Sequence, residues 1–232
     1  MLYVVATPIG NLEDISLRAI RVLGQVEVLV CEDTRRTRIL FERHGIGSPK
    51  KIISYREDNE RTALPGILKL LDEGKDIVLV TDAGYPGISD PGYRLISESV
   101  ERGIDIEIIP GAGAVTMSLL KSGLPSDSFT FKGFAPKKPG ALKKFLELDA
   151  ELPHTLIFFE SPQRVGKFLS FALEVLGDRK AAVCMELTKK FERVSRGYLS
   201  DLAEEFREKV VKGEVTVVVS GKNKKFMRER GD

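Results

Sequence analysis

The chain has 232 residues, 42% hydrophobic and 30% charged, and its 36 basic and 34 acidic side chains leave a formal net charge of only +2. That apolar fraction excludes a disordered chain, and no apolar run approaches the roughly 18 residues of a membrane span. The apolar start at residues 1–6 is too short for a signal peptide, so no export is expected.

Cys31 and Cys184 lie in apolar runs, and His44 and His154 are the only histidines. Neither a disulfide framework nor a thiolate–imidazole metal site is expected, and a reducing, cytoplasmic setting fits best. Five side-chain amides (Asn11, Gln25, Asn59, Gln163, Asn223) beside so many ion-pairing groups is the composition of thermal adaptation.

In chain order, short apolar runs alternate with amphipathic stretches. Residues 2–6 predict a strand, and 16–23 a helix whose apolar face is Ile15, Ala19, Ile20 and Leu23. A strand at 26–31 and a helix at 34–43 follow, then a weak strand at 51–54 and a helix at 59–73 closed by Gly74. Residues 76–80 are the clearest buried strand; a helix at 93–102, a strand at 105–109 and a helix at 114–121 come after it. Such alternation argues a mainly parallel α/β sheet.

The pattern breaks at 122–127, which sets an expected boundary between an N-terminal α/β domain over 1–124 and a C-terminal α/β domain over 125–221. The second half predicts strands at 129–134, 155–159, 181–186, 193–198 and 215–220, and helices at 140–148, 163–176 and 199–211. Runs of strand late in this half suggest a mixed sheet. Residues 222–232 are basic and nearly without apolar groups, and read as a flexible basic tail.

The densest chemical signal is the Gly/Pro/Asp-rich loop at 81–92, directly after the best strand. In open α/β sheets ligands bind outside the carboxyl ends of strands, and glycines there let backbone N–H groups approach a ligand. Asp82 suits a ribose diol or an ammonium group, whereas Asp90, before Pro91, reads as a helix cap. Pro110-Gly111-Ala112-Gly113 is a second small-residue turn ahead of a helix. It is not a dinucleotide fingerprint, because Thr116 stands at the third glycine position. Glu160 and Glu186 end two further strands. Four strand ends with loop chemistry, two in each half, imply a cleft between two α/β lobes.

Taken together, Thr7-Pro8-Ile9-Gly10-Asn11, Cys31-Glu32-Asp33-Thr34-Arg35, the 82–92 loop, Phe159-Glu160-Ser161-Pro162 and Glu186-Leu187-Thr188-Lys189 resemble a known family. In order and spacing they are similar to the bacterial small-subunit ribosomal RNA cytidine 2′-O-methyltransferases of the tetrapyrrole methylase superfamily, over nearly the whole chain. The resemblance implies a homodimer of tetrapyrrole-methylase-like subunits. It also implies S-adenosylmethionine in the cleft between two α/β domains, and a cytidine ribose near the decoding centre as target. On that footing Pro8, Gly10, Asp82, Ala83, Gly84, Pro86, Gly111, Ala112, Gly113, Phe159 and Glu186 are the expected cofactor contacts. The family's threonine after Asp-Ala-Gly is Tyr85 here.

Glu32, Asp33 and Glu160 are candidates for the base that takes the hydroxyl proton, with Arg35 on a neighbouring phosphate. A helix-capping role for Asp33 stands beside the catalytic one. Arg35, Arg36 and Arg38, and Lys137, Lys138 and Lys143, form two cationic groups for the small-subunit RNA, although a lysine-rich face is also the ordinary solvated face of a helix. Two other functions fit parts of the pattern: a methyltransferase acting on a small tetrapyrrole, and a non-catalytic nucleotide-binding regulator.

Overall fold

The computed structural model describes residues 1–229. In the first half, strands β1 (Leu2–Val5), β2 (Val28–Cys31), β3 (Lys51–Ser54), β4 (Ile77–Leu79) and β5 (Ile106–Ile109) alternate with helices α1 (Leu17–Gln25), α2 (Thr34–Arg43), α3 (Glu60–Asp72) and α4 (Tyr93–Glu101). The strands form one sheet in the order β3-β2-β4-β1-β5, and every pairing is parallel. A parallel sheet needs both faces covered, which is why its central strands are almost continuously apolar. Leu2, Val4, Val28, Val30, Ile77 and Leu79 point to one face and pack on Ile67, Leu68 and Leu71 of α3 and Leu95 of α4. Val5, Leu29, Cys31 and Val78 point to the other and pack on α1 and α2 through Ala19, Leu23, Leu40 and Phe41. Capping sharpens the helix starts: the Ser16 hydroxyl accepts from the Ala19 N–H at 3.1 Å.

The second half holds α5 (Ala114–Ser122), β6 (Phe129–Phe134), α6 (Pro139–Glu147), β7 (Thr155–Glu160), α7 (Val165–Leu176), β8 (Lys180–Met185), β9 (Arg193–Tyr198), α8 (Leu199–Glu205) and β10 (Val215–Val219). Its sheet runs β6-β7-β10-β8-β9 and is mixed: β6 and β7 are parallel, the remaining pairs antiparallel. Helices α6, α7 and α8 cover one face through Leu146, Phe168, Leu169, Leu202 and Phe206.

Three expectations change here. The chain divides into units Met1–Gly113 and Ala114–Asp232, earlier than the expected boundary after residue 124. The reason is α5, whose Leu119 packs on Ile157 of β7 and Val218 of β10 and so belongs to the second sheet. The helix expected over 199–211 ends at Glu205, where Phe206 turns into the core. The expected flexible tail is instead tied down over its described part. Asn223 caps a 3-10 turn at Lys224–Phe226, Met227 bridges to Arg179, and Arg228 pairs with Asp201 at 2.7 Å. The last positions of that tail, 230–232, lie outside the described residues. Among the described residues no helix is long and apolar enough to cross a membrane.

Candidate active site

Helices α1 and α2 leave β1 and β2 toward one face of the first sheet, whereas α4 leaves β4, which lies between them, toward the other. The chain therefore parts at the carboxyl ends of these strands, and their loops line the opening, as ligand sites in open α/β sheets do. The loop after β1 and the loop after β4 are zipped together. Thr7 N–H donates to the Gly84 carbonyl at 2.9 Å, Gly84 N–H donates to the Thr7 carbonyl at 3.1 Å, and the buried Thr7 hydroxyl donates to the Thr81 carbonyl at 3.0 Å.

Tyr85 reaches to the loop after β5: its hydroxyl accepts from Gly111 N–H at 3.1 Å and donates to the Gly111 carbonyl at 3.4 Å. Since β1 lies between β4 and β5, this tie spans the carboxyl end of β1. Gly111 is closely packed: a Cβ there would sit 3.1 Å from both Cβ and carbonyl oxygen of Ala6, so a side chain would require Ala6 to shift by a few tenths of an ångström. Four loops are thus held as one rim: those carrying Pro8 and Gly10, Glu32, the Asp82–Pro86 segment, and Gly111.

The carboxylates behind the rim differ in character. Glu32 Oε2 accepts from the Thr81 hydroxyl at 2.7 Å and from the Asp82 N–H at 3.4 Å, while its Oε1 has no protein partner among the described residues. Asp82 accepts from the Asp33 N–H at 3.1 Å and pairs with Arg36 at 3.3 Å. Burial, and after it the charge of Glu32, raises the Asp82 pKa above the ordinary aspartate value, with Arg36 pulling the other way.

Asp33 is the opposite case. Its carboxylate takes the Arg35 guanidinium with two nitrogens, at 3.0 and 2.6 Å, and caps α2 by accepting Arg35 N–H at 2.8 Å; these bonds lower its pKa to about 2. A depressed pKa adds stability above the unfolded value of 3.8, and that stability is lost as pH falls through the folded value of about 2. Asp33→Asn should therefore melt lower than the parent protein at neutral pH, and the gap should close in melts taken between those two values. A gap unchanged down to the lower value would contradict the pairing.

The two arginines nearest the rim are thus committed to carboxylates, Arg35 to Asp33 and Arg36 to Asp82. Arg38 lies apart from them, lining a hollow of about 420 Å³ with Cys31, Phe41 and Ile52.

In the second unit, Phe159 packs edge-on against Phe131 and Phe134, with ring centroids 4.8 and 5.5 Å away. Glu160 is only 3% exposed and accepts from Ser161 N–H at 2.6 Å and from the Arg164 guanidinium at 2.8 Å. Arg164 continues to the Ala135 carbonyl at 2.9 Å, so this carboxylate is a structural tie. Glu186 is similarly engaged, by Lys189 at 2.9 Å and Glu214 N–H at 2.8 Å. Burial acts to raise its pKa, but these two partners outweigh it and hold it low. Glu186 and Thr188 both have positive φ, 50° and 64°, so this turn is a strained one. Lys143 pairs with Glu174 at 3.3 Å; Lys137 and Lys138 are exposed with no ion pair among the described residues.

Thr7, Thr81, Tyr85 and Arg164 were not among the expected site residues. Thr7 and Thr81 stand where β1 and β4 open into their loops, and Arg164, the N-cap residue of α7, is brought back to Glu160 at the end of β7 by the turn closed from Arg164 N–H to the Ser161 carbonyl.

The family model for tetrapyrrole (corrin/porphyrin) methylases matches residues 1–203. The chain belongs to this family. Among curated tetrapyrrole methylase relatives, the ribosomal RNA small subunit methyltransferase I of Mesorhizobium japonicum is 46% identical over 94% of this chain and 74% of its own. The protein of the same name from Thermotoga maritima is 42% identical over 95% of this chain and 98% of its own. That of Bacillus subtilis is 40% identical over 99% and 78%. Among solved structures, a uroporphyrin-III-C-methyltransferase from Thermus thermophilus aligns with a TM-score of 0.66 at 21% identity, covering 94% of this chain and 93% of its own. A cobalt precorrin-4 methyltransferase aligns at 0.67 and 18%, covering 94% of each chain. At such identities these two establish the tetrapyrrole methylase fold.

Proposed function

We propose that this protein transfers a methyl group from S-adenosylmethionine to the ribose 2′-hydroxyl of a cytidine in small-subunit ribosomal RNA near the decoding centre. It acts as a cytoplasmic homodimer and needs no metal. The observation that carries this reading is the near-full-length likeness to ribosomal RNA small subunit methyltransferases.

The rim of the first sheet suits the donor. The turn at Gly111 carries no side chain and packs closely on Ala6, which leaves its backbone N–H and carbonyl as the groups it can present. Asp82 places a carboxylate beside the zipped loops, fit for a ribose diol or an ammonium group. When bound, S-adenosylmethionine supplies an electrophilic methyl carbon on a positively charged sulfur.

The chain's own residues then have two tasks: to orient the hydroxyl and to take its proton. Holding reacting groups in line accounts for a large share of such rate enhancement, on the order of several kcal/mol. Of the base candidates, Glu32 keeps one oxygen uncommitted, Asp33 is held too acidic to accept a proton readily, and Glu160 is enclosed by its ion pair. Glu32 is therefore the base in this account, with Thr81 orienting its carboxylate. Glu186 remains a proposed cofactor contact through its turn; Phe159, whose ring packs edge-on against Phe131 and Phe134, is not retained as one.

Tyr85 holds the Gly111 turn. Loss of its hydroxyl removes two hydrogen bonds, each contributing about 0.5–1.5 kcal/mol. Tyr85→Phe should weaken donor binding by about 2- to 12-fold per bond in titration calorimetry. Unchanged affinity would remove Tyr85 from the binding machinery.

Two parallel incubations with labelled S-adenosylmethionine and one binding measurement test the reading. Label should enter the RNA of small subunits that lack the modification, and not a uroporphyrinogen-type macrocycle. Label in the macrocycle alone would instead support the tetrapyrrole methyltransferase. Donor binding with no transfer to either would support the regulator.

A further inference from the structure

The edge of the second sheet carries an irregularity with a chemical consequence. Strands β6 and β7 pair in regular register at Phe129–Thr155, Thr130–Leu156 and Phe131–Ile157, and then slip so that Phe134 stands opposite Phe159. Regular pairing would have put Gly133 there and turned Phe134 to the opposite face. Gly133, at φ 65°, absorbs the extra residue. A bulge of this kind re-aims a side chain, and here it brings the Phe134 ring onto the side where Phe131 and Phe159 already lie. The re-aimed ring is not buried by its neighbours: Phe134 remains 58% exposed.

The charge around this ring is uneven. Lys132 is neutralised by Asp149 and Lys143 by Glu174. Between them, Lys137 and Lys138 are exposed on the loop that follows Phe134 and have no carboxylate partner among the described residues. An exposed aromatic face with uncompensated cations beside it is how proteins hold unpaired nucleic acid: the base stacks on the ring, and the flanking phosphates meet the cations. S-adenosylmethionine is a poorer occupant, because it carries a positive sulfur and no phosphate.

We propose that Phe134, backed edge-on by Phe159, is a stacking platform for an unpaired base of the RNA strand, and that Lys137 and Lys138 hold the phosphates beside that base. The proposal rests on small-subunit RNA being the substrate.

The test measures single-turnover methyl transfer by the full chain as a function of small-subunit concentration. Phe134→Leu keeps the apolar bulk and removes the π face, and Phe134→Trp keeps the face; circular dichroism confirms that both fold. Without stacking at one base, the half-saturating subunit concentration should rise about 5- to 150-fold in the leucine variant. The tryptophan variant should restore it, and half-saturation by S-adenosylmethionine should stay unchanged in both. Lys137→Glu with Lys138→Glu should also reduce the slope of log affinity against log salt, by about 0.7 for each phosphate no longer neutralised. An unchanged subunit requirement in Phe134→Leu would overturn the platform, and so would a shift in the donor requirement instead. Absence of methylation by the parent protein would overturn the substrate reading, a different failure.

Discussion

Replacing Glu32 with Ala is expected to slow single-turnover methyl transfer by about 10²- to 10⁴-fold, the usual contribution of a positioned general base. The parent residue is tied by one oxygen only, Oε2, which accepts from the Thr81 hydroxyl and the Asp82 N–H. Glutamine keeps an acceptor for those two donors and so preserves the rim, but it takes up no proton at neutral pH. Glu32→Gln therefore separates the two roles. Rates as low as in the alanine variant, with donor affinity retained, mark proton transfer. Near-parent rates would mean that Glu32 only orients the loop and that the hydroxyl loses its proton to solvent. Removing the Glu32 charge also removes one of the causes that raise the Asp82 pKa, second only to burial, so Asp82 should titrate lower in the glutamine variant when followed by NMR.

The second large effect concerns stability. Arg164→Ala would leave the Glu160 carboxylate, 3% exposed, with the Ser161 N–H as its remaining partner and would cut the link to the Ala135 carbonyl. Breaking a buried ion pair from one side costs about 3–5 kcal/mol. For a chain of this size that lowers the melting temperature by ~6–20 °C. Glu160→Gln should be milder, because the amide oxygen still accepts from Ser161 and Arg164, and the Arg164 charge left without its carboxylate is 26% exposed and so partly solvated. If Glu160→Gln nevertheless slowed methyl transfer as strongly as Glu32→Gln, the base would have to be reassigned to Glu160.

The alternation of strands and helices was legible because a doubly covered parallel sheet writes itself as short apolar runs, such as Ile77–Leu79, between amphipathic stretches. The loop chemistry after β1, β2 and β4 was legible for the same reason: the strands end in Thr, Glu, Asp and Gly rather than in more apolar residues. What escaped depends on partners distant in sequence. Helix α5 continues the alternation and reads as part of the first half, and only its packing on Ile157 and Val218 assigns it to the second. Arg228 looks like a free cation until Asp178 and Asp201 are placed beside it. Glu186 looks open at a strand end until Glu214 N–H arrives from 28 residues away. The pairing of Glu160 with Arg164 depends on the turn between β7 and α7, and the bulge that exposes Phe134 left only a lone glycine inside a strand as its trace.

Methylation of a ribose 2′-hydroxyl leaves a chemical mark that base methylation does not: the neighbouring phosphodiester can no longer be cleaved by alkali. The most direct measurement is alkaline hydrolysis of small-subunit RNA after incubation with the protein and labelled S-adenosylmethionine. The account predicts label in an alkali-resistant dinucleotide whose 5′ residue is cytidine, absent when Glu32→Gln replaces the parent protein. Label recovered wholly in mononucleotides would place the methyl group on a base and contradict ribose methylation.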